Sequence, residues 1–138
     1  MSDELQQFNA HQEDVRRRAD SLARAMFLLS GGALTVSIGI FTNHAAPQLE
    51  PELACVLRGS WWSLVSSILL LIFCLIAIIA RDYAFGERWR SAMDAPEKGA
   101  PRQFLWPEIV IWALGLVAVA AFTLGMLGLA RVATGLLV

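Results

Sequence analysis

Residues 61–80 read WWSLVSSILLLIFCLIAIIA, twenty residues without a charged side chain, closed by Arg81 on one side and preceded by Arg58 on the other. A helix needs roughly 20 mainly apolar residues to cross about 30 Å of hydrocarbon, so this run predicts a membrane-spanning helix. Working outward, residues 25–43 (AMFLLSGGALTVSIGIFTN) and 106–130 (WPEIVIWALGLVAVAAFTLGMLGLA) meet the same criterion. The fold class that follows is an all-α integral membrane protein, with three transmembrane helices and helical cytoplasmic extensions of the first and second.

Composition agrees. Hydrophobic residues make up 57% and charged residues 17% of the 138, whereas soluble domains run near 45–50% and about 25%. The length suits a single membrane domain. A formal charge of −1 with no basic face of useful size argues against a nucleic-acid partner. The lipid bilayer is the partner that the pattern demands.

Basic residues set the direction. Arg16, Arg17, Arg18 and Arg24 precede the first span, and Arg81, Arg88, Arg90, Lys98 and Arg102 lie between the second and third; the remaining two, Arg58 and Arg131, fall on the other side. The positive-inside rule then puts the N-terminus in the cytoplasm and the C-terminus outside. Trp61, Trp62 and Trp106 fall where spans meet the interfaces, as aromatic belts do. The predicted order is a cytoplasmic amphipathic helix over 4–24 running into a span over 25–43, an outer loop over 44–60 and a span over 61–80. A cytoplasmic extension over 81–94, a loop over 95–105, a span over 106–130 and an outer tail over 131–138 complete it. The polar opening of the chain does not read as a secretory signal, and the expected location is a bacterial inner membrane.

Before the first span, Leu5, Phe8, Gln12, Val15, Ala19, Leu22, Met26 and Leu29 recur at alternating spacings of three and four, a heptad seam. Glu13–Arg17, Asp14–Arg18 and Asp20–Arg24 are acid-to-base pairs at i,i+4, the favourable order, worth about 0.2–0.5 kcal/mol each. No Gly or Pro interrupts residues 5–30, so one helix is expected from about residue 4 to 43. The second span outlasts the membrane until Pro96, which sets its end near Asp94. The seam is flanked by Arg16 and Arg18, while the extension carries Asp82, Glu87, Trp89 and Asp94. Antiparallel pairing of these two helices is the expectation. Self-association through the seam, docking of a cytoplasmic protein and lying on the membrane surface are its alternatives.

Small residues mark possible packing surfaces. Gly31, Gly32, Thr35 and Gly39 form a stripe in the first span, and Ala118, Ala121, Gly125 and Gly128 in the third. Residues of this size let helix backbones approach closely in lipid, either within one protomer or in a homo-oligomer. Ser30, Thr35, Ser37, Ser63, Ser66, Ser67 and Thr123 supply the hydroxyls within the spans.

Groups that carry chemistry are missing from the pattern. No Asp, Glu, Lys, Arg or His falls in the middle of a predicted span, where proton relays and voltage sensors keep theirs. His11 and His44 lack a second ligand at metal-binding spacing. No phosphate loop or nucleophile elbow is present. Cys55 and Cys74 sit in a loop and a span and are expected as free thiols. The sequence thus points to a non-enzymatic membrane protein without cofactor or metal: an oligomeric anchor or accessory subunit using its cytoplasmic helices. A holin-like pore former and a small channel or transporter subunit are the alternatives.

Overall fold

The computed structural model describes residues 2–44, 46–94 and 106–137; within its helices the side chains of residues 2–12, 15 and 88–94 lie outside the description. The described residues form three helices: α1 (Ser2–Phe41), α2 (Pro51–Asp94) and α3 (Trp106–Gly135). Each contains a stretch long and apolar enough to cross a membrane, and the chain is a multi-pass membrane protein. At 1.5 Å per residue, α1 and α2 are about 60 and 66 Å long and α3 about 45 Å.

Local chemistry sets the ends. α1 is unbroken across the expected junction near residue 25. Thr42 N–H closes its last turn on the Ile38 carbonyl at 2.9 Å, and Ala46 N–H turns back to Asn43 O at 3.0 Å before Pro47. The next helix begins earlier than expected. Residues 51–60, placed in the outer loop by hydropathy, are the first turns of α2. Pro51 occupies the first helical position, where its missing N–H costs nothing, and Glu52 stands near the positive end of the helix dipole. The Glu50 carbonyl accepts the first bond, from Ala54 N–H at 3.0 Å. The outer tail is likewise shorter, because α3 continues to Gly135. The described part of α2 runs as far as Asp94. The expected loop over 95–105 lies outside the described residues.

α2 and α3 pack as a long antiparallel hairpin, and α1 touches that pair much less. The buried positions explain why. On α2, Leu57, Ser60, Leu64, Ser67 and Leu71 alternate by three and four. On α3, Ala118, Gly125 and Val132 recur every seventh residue. Such a 3.5-residue period keeps one seam of each helix facing its neighbour only if the helices coil left-handedly about one another. α1 contributes Met26, Ser30 and Ser37. Large apolar side chains such as Leu28, Ile79, Leu116 and Leu127 point outward, where lipid is their solvent.

Candidate functional site

The surfaces that hold the helices together, and those left open, are the candidate functional surfaces of this chain. The two small-residue stripes separate cleanly. Those of α3 are filled from α2. A Cβ added at Gly125 would stand 2.7 Å from Leu64 Cγ and 3.1 Å from the Ser60 carbonyl oxygen; one at Gly128 would collide with Ser60 Oγ. Ala118 is fully buried and Ala121 half-buried. Gly135 extends the row beyond the expected residues: its Cβ would come within 2.9 Å of Leu53 Cδ1. The stripe on α1 is different. Around Gly31, Gly32 and Gly39 a Cβ would meet nothing within 4 Å. Thr35 is exposed, its hydroxyl donating to Gly31 O at 2.8 Å.

Serines join the three helices. Ser67 Oγ donates to the Ala118 carbonyl across the α2–α3 interface at 2.9 Å, fully buried. Trp61 Nε1 donates to Ser37 Oγ at 2.9 Å, tying α1 to α2, and Ser37 Oγ in turn donates to Leu34 O at 3.2 Å. Ser60 Oγ donates within its own helix to Val56 O at 2.7 Å. Cys74 Sγ reaches the Ile111 carbonyl at 3.5 Å. Ser30 Oγ is buried and makes no hydrogen bond among the described residues. Ser60 escaped the sequence reading because it lay in the expected loop; its signal was the seven-residue spacing to Ser67. Ser63 is half-buried, while Ser66 and Thr123 are exposed, with Thr123 Oγ1 bonded to Val119 O at 2.9 Å.

The heptad seam of α1 is only partly described. Leu5, Phe8, Val15, Trp89 and Asp94 carry side chains outside the described residues. Of the rest, Met26 is buried against Leu71 and Ala118, whereas Ala19 and Leu22 are exposed. Arg16 is exposed, and Arg18 pairs with Asp14 of its own helix at 2.8 Å. Arg17–Glu13 at 3.3 Å and Arg24–Asp20 at 2.8 Å complete the i,i+4 set. Glu87 is exposed on the extension of α2.

An open groove of about 390 Å³ between the hairpin helices is floored by Ala77, Ala80, Ala84 and Val110, with Arg81 and Trp106 at its edge. Its walls are almost wholly apolar and offer no set of converging polar groups. No group of three or more metal-ligating side chains occurs among the described residues, and Cys55 and Cys74 are free thiols. No family model matches the chain, and neither a curated protein nor a solved structure is detectably similar to it.

Proposed function

We propose that this three-helix membrane protein is a non-enzymatic anchor that assembles with further copies and presents helical rods to a cytoplasmic protein. The observation that carries this reading is the reach of α1 and α2. Both run unbroken well past their apolar stretches at the same end of the molecule, α1 back to Ser2 and α2 on to Asp94. A helix pair that only filled the bilayer would stop near 20 residues. Near that end the surface mixes charge with large exposed apolar side chains, Tyr83 and Phe85 beside Asp82 and Glu87 on α2. Such a surface suits reversible protein contact. The arginine asymmetry supports placing this end in the cytoplasm of a bacterial cell, with the C-terminus outside.

The test is site-specific photo-crosslinking in cells, with the probe at Tyr83 or Phe85 and a lipid-facing control at Leu127. Discrete protein adducts at the first two positions, absent at the third, are the expected result. Adduct patterns indistinguishable from the control at both would sink the reading.

A further inference from the structure

The contact of Met26 with Leu71 and Ala118 fixes the depth of α1 relative to the hairpin. Leu71 lies midway along the charge-free stretch between Arg58 and Arg81, and Ala118 lies near the middle of that between Glu108 and Arg131. Hydropathy therefore centres both in the bilayer. Met26, however, is the second residue of its own apolar run. In this antiparallel register Arg16, not Arg24, comes level with Arg81. Arg24 lies two residues from Met26, about 3 Å along the axis, and Asp20 about 9 Å, while half the hydrocarbon core is about 15 Å. Residues 17–24, expected in the cytoplasm, are thereby drawn level with the apolar run of α2.

The Asp20–Arg24 pair is open on the protomer: its side chains are 53% and 77% exposed. Their helical tilt leans both toward the N-terminal end, yet Asp20 itself starts below the level of Arg81. Charges at this depth are found facing a bundle interior or another polar group rather than acyl chains, which offer neither hydrogen bonds nor counter-charge. The pair also belongs to a longer face. Glu13, Arg17, Asp20, Arg24, Gly31, Thr35 and Thr42 are spaced by four, three, four, seven, four and seven, a second heptad row about 120° round α1 from Met26, Ser30 and Ser37. No described residue covers it: Arg17 and Arg24 are exposed, a Cβ at Gly31 meets nothing within 4 Å, and Thr35 and Thr42 are exposed.

We infer that this face is the self-association surface, α1 packing in parallel against α1 of a second copy with the Asp20–Arg24 pairs crossing at its centre. This rests on the assembling anchor proposed above and names the surface by which it assembles. A two-fold pair of parallel helices sets each Asp20 within a turn of the partner's Arg24, so one sequence supplies both signs of charge. Gly31 and Thr35 permit the close approach further along the seam.

The experiment is oxidative disulfide cross-linking in native membranes, in a chain carrying Cys55→Ser and Cys74→Ala. Gly31→Cys, Thr35→Cys and Thr42→Cys are expected to give covalent dimers, while Leu29→Cys and Val36→Cys, exposed on another face, are not. Asp20→Arg or Arg24→Asp alone should lower the yield at position 35 about threefold or more, and the two together should restore it. Restoration by the swap separates lost pairing from lost folding. Dimers formed chiefly at 29 and 36 would overturn this surface and leave the assembling anchor standing. Unaltered yield in both single variants would remove the ion pair from the interface. No dimer at any of the five positions would overturn both.

Discussion

At the scale of single residues, a side chain matters here according to whether another helix occupies its space. Gly125 and Gly115 lie on the same helix, but a Cβ at Gly125 would press on the fully buried Leu64, and one at Gly115 meets nothing within 4 Å. Leu64 has no free side to move toward. Gly125→Ala is therefore expected to destabilise the protein by about 1–3 kcal/mol, the range for overpacking a filled interior. Gly115→Ala should not lower stability, since alanine is the better helix former. Unfolding of the purified protein in mixed micelles, followed by circular dichroism, measures both; equal loss in the two variants would contradict the packing described. The row Ala118, Gly125 and Gly128 was legible as small residues at helical spacing. What they faced was not, because one helix's sequence cannot say which neighbour fills its grooves. Ser30 shows the same gap: it read as one hydroxyl among several, and only packing makes it the buried one without a partner.

At the scale of elements, the contrast is between a tight hairpin and a loosely held third helix. α3 meets α2 from Gly135 and Leu53 at one end to Ile111 and Cys74 toward the other. α1 is fastened by the Trp61–Ser37 hydrogen bond and the small cluster around Met26. Trp61→Phe removes that bond while keeping an aromatic ring at the interface. It should slow disulfide formation between Met26→Cys and Leu71→Cys about threefold, and leave that between Leu53→Cys and Gly135→Cys unchanged. Equal rates before and after would show that Trp61 does not hold α1. Hydropathy located all three helices. It misplaced the start of α2, because Glu52 and Arg58 lower the average of turns whose inward positions, Leu53, Leu57 and Ser60, continue the buried seam. A hydropathy window registers the solvent a residue prefers, whereas the heptad registers the neighbour it meets. Residues 51–60 obey only the second.

For the whole molecule, the outstanding question is direction across the membrane. The orientation proposed from the arginine distribution would make the short loop before α2 external, and Cys55 is exposed near it, four residues into α2. A membrane-impermeant maleimide applied to intact cells should therefore label Cys55. A cysteine introduced by Glu87→Cys, in a chain with Cys55→Ser, should label only after the membrane is opened. Reversed labelling would invert the topology and move the long helical ends outside. Nothing in composition distinguished an anchor from a pore. The buried serines now bear on that choice, since Ser37, Ser60 and Ser67 already bond to carbonyl groups inside the protomer. Ser30 is the buried serine left without a partner among the described residues, and one hydroxyl does not line a path.

In the pairing proposed above, the offset between α1 and the hairpin would tie assembly to the thickness of the host membrane. α2 and α3 carry apolar stretches that fill an ordinary bilayer, while the charge-free part of α1 begins level with their midpoint. A thicker membrane submerges Asp20 and Arg24 further, and a thinner one releases them toward the headgroups. Separated copies would thus bear a penalty that grows with bilayer thickness, and copies paired as proposed would be largely spared it. Under that proposal lipid composition alone, with no ligand and no covalent change, would sort this protein between single and assembled forms.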